Sequence, residues 1–283
     1  MRSKMVGLPA IAAMMVLPGV LSAVDTRTEI PFKLYRDYTI VVQSSIGGLR
    51  KCNLLIDTGA VPSVLDRRVA RKLRLTGRPE DVSVFTRSIQ AQRVVLPDLR
   101  LGPIQAEAVS VLVRDLSFIE EELGVRVDAM VGLDVLGRSD FSIDYAAKKL
   151  VFGPVERLES AFAFQAGPGF VYATIQIQGQ PVRLLVDTGA NHLVLFDGRV
   201  QGRITGLHPL GTKTNSNLGG DVTLKQVQLK EVRLGGKDFP TLEAFLLGNS
   251  GGDLPGFDGL LGVRALGLTR LSFDFARHTI FWK

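Results

Sequence analysis

A chain of 283 residues can hold one large domain or two small ones, each with a sizeable core. With 46% apolar and 22% charged residues and a mean hydropathy of +0.20, its composition is globular and excludes a wholly disordered chain. A formal charge of +6 is too mild an excess to point to a nucleic acid or another polyanionic partner.

The first element is a targeting segment. Arg2 and Lys4 precede the apolar run Met5–Leu17, and Leu21-Ser22-Ala23 offers a small-residue cleavage site, so residues 1–23 read as a secretory signal peptide. Pro9, Pro18 and the short run argue against a full membrane span. The expected product is exported, periplasmic or secreted, with no stable membrane insertion after cleavage. Loss of Arg2 and Lys4 takes the formal charge from +6 to +4.

Glu29–Leu34 and Tyr38–Gln43 read as strands. The second leads through a Gly-containing turn into L-L-I-D-T-G-A, Leu54 to Ala60. Cys52, the single cysteine, cannot form an internal disulfide and reads as a small core residue. Arg67–Leu75 suits a short helix with a solvated basic face and Val69, Ala70 and Leu73 turned inward. Val84–Leu101 suits a hairpin, and Leu116–Leu123 a short acidic helix. Gly153-Pro154 through Gly167-Pro168-Gly169 carries turn residues at both ends and reads as a linker, with the boundary near Glu159. The expected units are therefore 24–158 and 159–283. In the second, Tyr172–Gln178 is a strand, Leu184 to Ala190 reads L-L-V-D-T-G-A, and Val222–Leu234 suits a hairpin.

The two units repeat one another. Asp57 and Asp187 are 130 residues apart, and so are Gly132 and Gly262, and Asp144 and Asp274. One spacing held over half a chain indicates duplication of a complete lobe. Each apolar run ending in D-T-G suits a buried strand that stops at a tight turn. If the halves face each other about a local two-fold axis, Asp57 and Asp187 meet at the centre. Two carboxyls that close cannot both ionise cheaply, so they share a proton and can act as acid and base together.

These motifs resemble those of the aspartic peptidases. Ala60 and Ala190 after the glycines are more like the retropepsin-like branch than the pepsin branch, which has a hydroxyl there. The resemblance implies an all-β, bilobal acid-protease fold with a few short helices and two β-barrel-like lobes flanking a cleft. It implies an endopeptidase in which a water held between Asp57 and Asp187 attacks a peptide bond, with a peptide or protein as substrate. It also implies support from Thr58, Gly59, Thr188 and Gly189, the threonines bonding across to the opposite loop, and from Gly132 and Gly262 passing behind the active-site loops. Leu133-Asp134 fits the branch's pattern, whereas Val263-Arg264 departs from it. Flap hairpins are expected at Thr86–Ala91, with Arg87, Ser88 and Ile89, and at Asn215–Asp221, with Leu218, Gly219 and Gly220. No metal, cofactor or homodimer is expected, since both halves lie in one chain, a monomer with an internal pseudo-dimer. The few residues between Ala23 and Glu29 are too short for an inhibitory propeptide, so activity without processing is expected. Alanine at 60 and 190 removes a donor that would favour the charged carboxylate, which predicts a milder pH optimum than that of a stomach-type enzyme.

Other readings compete. Gly248-Asn249-Ser250-Gly251-Gly252 is similar to the nucleophile loop of trypsin-like serine peptidases, but none of His192, His208 and His278 sits in a turn suited to a base. His192, five residues after Asp187, could line the cleft or be a plain loop histidine. No cluster has metal-ligand spacing, and no nucleotide fingerprint is present. A non-catalytic two-lobed peptide-binding protein of the same fold is the alternative function.

Overall fold

The computed structural model describes residues 27–84, 87–167, 169–248 and 256–283. The segment expected to be a signal peptide, Thr86, Pro168 and Asn249 to Gly252 lie outside them.

Alternation along Leu49–Ile56 buries Cys52, Leu54 and Ile56 in one core cluster. Leu55, on the opposite face, joins a second apolar cluster. The strand pairs antiparallel with Thr39–Ile46 and parallel with Ala129–Val131. Ala129–Val131 also pairs antiparallel with Val64–Asp66, which in turn lies parallel to Leu112–Arg114. The second lobe has the same order. Gln180–Asp187 lies parallel to Gly259–Gly262, which pairs antiparallel with Leu193–Phe196, itself parallel to Ala244–Leu247. Each D-T-G strand is thus inside a sheet, paired on both sides, which fixes the position of the aspartate at its end.

The lobes are joined by six neighbouring strands of a 13-stranded sheet. Their order is Thr28–Pro31, Lys149–Phe152, Phe141–Asp144, Arg270–Asp274, Thr279–Trp282 and Ser160–Ala163. At the centre of the six Ser142 faces Ser272, with their Oγ atoms 2.8 Å apart. These residues are 130 apart, so the local two-fold axis passes between them. Phe141 and Phe273 stack beside it with ring centroids 4.6 Å apart, closing the core between the lobes.

Two expectations about hairpins are corrected. Val84–Leu101 is not a hairpin. Arg87–Leu101 is one long strand that pairs back to Arg78–Val84 and forward to Ile104–Arg114. Val222–Leu234 lies likewise inside the single strand Gly220–Leu234, paired with Gly211–Asn217 and Lys237–Leu247. The chain reverses where glycines take positive φ, at Gly102 (φ 57°) and at Gly235 and Gly236 (φ 55° and 81°), beyond the ends assumed from sequence. The linker is also shorter than expected, because Ser160–Gly167 is a strand that pairs first with Thr279–Trp282 and then with Phe170–Ala173.

The helices are short. Arg67–Lys72 starts where the buried Asp66 carboxylate accepts from Arg68 N (2.9 Å) and buries Val69 and Ala70. Ser117–Leu123 stops at Gly124, which adopts the left-handed conformation. Cys52 is buried and free, and burial pushes its thiol pKa up, as suits a core residue. Among the described residues no helix is long and apolar enough to cross a membrane.

Candidate active site

Asp57 and Asp187 end equivalent strands and meet at the interface of the lobes. Both are buried, and each carboxyl packs against the glycine two residues after the other aspartate. Backbone amides hold them in place: Gly59 N donates to Asp57 Oδ1 (2.8 Å), while Gly189 N (2.8 Å) and Ala190 N (3.1 Å) donate to Asp187 Oδ1. Burial pushes both pKa values up. Asp187 lies well above the ordinary carboxyl range because burial is reinforced by the neighbouring charge of Asp57. One proton on the pair is therefore the stable state over a range of pH that two isolated carboxyls would not cover.

Thr58 and Thr188 lock the loops that carry the acids. Thr58 N donates to Thr188 Oγ1 (3.0 Å), and Thr188 N donates to Thr58 Oγ1 (3.1 Å). Each hydroxyl then donates across the interface, Thr58 Oγ1 to Val186 O (2.8 Å) and Thr188 Oγ1 to Ile56 O (3.2 Å). Both threonines are fully buried, so these four bonds have no competition from water.

Glycine is required here by space. A Cβ on Gly59 would lie 2.6 Å from Asp187 Cγ, and one on Gly189 would lie 2.6 Å from Asp57 Cγ. A Cβ on Gly132 would sit 1.7 Å from Ala60 O, where the backbone passes behind the first D-T-G loop. Gly262 is also close-packed, with a Cβ there 2.4 Å from His192 O and 2.8 Å from Ala190 O. The two rear segments differ in what they bind. Gly132 N donates to Ser63 Oγ (2.9 Å), whose hydroxyl donates to Asp134 Oδ1 (2.7 Å). Gly262 N donates instead to His192 O (3.1 Å), so Val263-Arg264 is accommodated by a backbone acceptor in place of the serine–aspartate pair.

The acids open onto a cavity of about 530 Å³ between the lobes. Leu55, Val64, Leu112 and Met130 form its first-lobe wall, and Leu185, Val194, Leu224 and Leu260 its second-lobe wall. The hairpin Gly211–Asn217/Gly220–Leu234 projects across it, and its tip residue Leu218 packs on the first lobe's apolar cluster. Arg114 spans both hairpins, with Nη1 donating to Gln90 O (2.5 Å) and Nη2 to Leu218 O (3.4 Å).

Of the residues expected at the flaps, Ile89 and Leu218 line the cavity. Ser88, Gly219 and Gly220 belong to the same two hairpins but do not line it, and the backbone of Arg87 pairs with Val84 beside the first tip. His192 lines the cavity. Sequence reading missed Leu55, Leu185, Arg114 and Lys213, which also line it. Leu55 and Leu185 were accessible by period two, since each stands two residues before an aspartate on the same strand face. Among the described residues, no three or more His, Cys, Asp and Glu side chains group as a metal site.

A family model for aspartyl proteases matches the chain twice, over residues 42–135 and 173–265, one match per lobe. No curated protein matches the sequence. With the two matches spanning most of both lobes, the chain belongs to the aspartyl protease family.

Proposed function

We propose that the protein is an aspartic endopeptidase in which Asp57 and Asp187 jointly activate one water. The observation that carries this reading is the pair of buried carboxyls from opposite lobes, packed close together where they line an apolar cleft. The ionised member of the pair takes a proton from water as it attacks the scissile carbonyl. The protonated member donates to the carbonyl oxygen, and the proton then passes to the leaving amine. Both roles belong to the pair, so neither residue is the sole base. Thr58 and Thr188 hold the acids in register and are positioning residues.

The substrate in this proposal is an extended peptide or protein segment lying under the hairpin tips, held by main-chain bonds as an added strand would be. Such a site needs no cofactor and no second copy of the chain. The apolar run after Arg2 and Lys4 supports export to the periplasm or the medium.

Digestion of a diverse peptide library by the purified protein tests the proposal, run in parallel with Asp57→Asn and with a hydroxyl-bearing transition-state mimic of the aspartyl type. Cleavage that the mimic blocks and Asp57→Asn abolishes is the expected result. Intact peptides, or cleavage that survives in Asp57→Asn, would overturn it.

A further inference from the structure

The two walls of the cleft are not copies of each other. Leu112 stands opposite Val64 in the first lobe, as Phe245 stands opposite Val194 in the second. In the antiparallel ladders, Arg93 pairs with Leu112 and with Arg78, and Gln226 pairs with Phe245 and with Gly211. Two residues along those strands, Lys213 therefore occupies the place of Glu80. By the repeat of 130, His192 occupies the place of Pro62.

The first lobe closes its charges on itself, because Arg93 binds Glu80 through both carboxylate oxygens and neither residue lines the cleft. In the second lobe a cation takes the place of Glu80 and faces the cavity. Lys213 and His192 both line it, with Lys213 Nζ 3.4 Å from His192 Nε2. The His192 ring lies against the buried Phe245 ring, centroids 4.5 Å apart, and Lys213 Nζ is 5.9 Å from that ring's centroid. Glu243 stands on the far side of the imidazole, its Oε1 3.9 Å from Nδ1 and its Oε2 bonded by Gln226 (2.8 Å). Lys213 thus presents a cation to the cleft over an apolar floor, which a carboxylate of the substrate would complement.

We infer that Lys213 and His192 form a subsite on the second-lobe side of the cleft for an acidic side chain of the substrate. A glutamate or aspartate suits it, because its methylene stem rests on Phe245 while its carboxylate accepts from Lys213 Nζ, which His192 Nε2 holds in place. The first lobe has Glu80 at that place, away from the cleft, and its cleft-lining cation Arg114 is held by Gln90 O and Leu218 O, so the preference is one-sided along the peptide. This deepens the reading of the cleft as a peptide site and rests on it.

The test uses labelled short peptides with a Leu-Phe centre, each flanking position set in turn to Glu, Gln or Lys. They are titrated against Asp57→Asn protein, in which no turnover disturbs binding. At one position the Glu peptide should bind about tenfold tighter than its Gln twin, with the ratio falling as salt is raised. Lys213→Gln should bring the two together, and Lys213→Glu should favour the Lys peptide. Lys213 is exposed, so both variants are expected to fold. Equal affinity for Glu and Gln at every position, an unchanged ratio in Lys213→Glu, or no binding by any peptide overturns the subsite. Cleavage of the same peptides by the wild-type protein is scored separately. Charge-selective binding without cleavage keeps the subsite and removes the peptidase reading, whereas cleavage without charge selectivity does the reverse.

Discussion

Replacing Thr58 with valine isolates what the threonine lock contributes. Valine keeps the volume of threonine, so no cavity opens, and only the hydroxyl is lost. That hydroxyl accepts from Thr188 N and donates to Val186 O, at 3.1 and 2.8 Å. Both partners lie in the buried interface of the lobes, so Thr58→Val leaves one donor and one acceptor without water or a substitute. Each such group costs about 1–3 kcal/mol, which makes the expected loss about 2–6 kcal/mol. A domain's whole stability is roughly 5–15 kcal/mol, so this is a large fraction. Thr58→Ser keeps the hydroxyl and loses one methyl, at a cost of about 1 kcal/mol. Urea unfolding of the three proteins measures the differences. A loss below about 0.5 kcal/mol in Thr58→Val, or equal losses in the valine and serine variants, would refute the argument that the hydroxyl is what matters.

Asp187→Asn should raise stability at neutral pH. Burial and the neighbouring Asp57 hold the folded pKa of this carboxyl well above the ordinary carboxyl value, so its favourable contribution is present below that ordinary value and is lost as pH rises through the folded pKa. Unfolding measured across pH should show the variant gaining on the wild type toward neutrality and the two converging in acid; a constant difference contradicts the assigned shift. Activity should follow a bell-shaped pH profile whose alkaline limb is set by loss of the shared proton, and because burial raises both carboxyls the maximum should lie well above the pH of a stomach-type enzyme. A maximum at about pH 2 would contradict this. Gly132→Ala should destabilise the protein by about 1–3 kcal/mol or more, since the new methyl would lie 1.7 Å from Ala60 O and only backbone movement could relieve it. A thermal shift indistinguishable from wild type would show that the loop is looser than the structure has it.

What could be read from the sequence was what local rules control. The apolar runs ending in D-T-G fold as strand ends because alternation buries Leu54 and Ile56, and Leu184 and Val186, while the turn residues stop the strand. The constant spacing of 130 marked the halves as copies, and in the fold Ser142 and Ser272, one such pair, meet at the local two-fold axis. The helix after Asp66 was legible from its inward Val69 and Ala70. The hairpins were misdivided because Arg87–Leu101 and Gly220–Leu234, at 15 residues each, are longer than most strands. Nothing local distinguishes the middle of such a strand from two arms of a hairpin.

The cleft was hidden for a different reason. Arg114 meets Leu218 across 104 residues of chain, and Lys213 meets His192 across 21. Those contacts depend on how the lobes face each other and on where the hairpins fold over, and neither has a signature in residue order. The divergence between Glu80 and Lys213 becomes visible only once the ladders set the two strands in register. Duplication therefore showed which residues are shared by the lobes, while the pairing shows which ones differ.

The most direct measurement is the initial rate of cleavage of one susceptible peptide by four proteins: the wild type, Asp57→Asn, Asp187→Asn and the double variant. If the acids work as one unit, each single change should lower the rate by about a thousandfold or more, and the double variant should be little worse than either. Retention of the wild-type rate in either single variant would contradict a mechanism in which both carboxyls handle the same water.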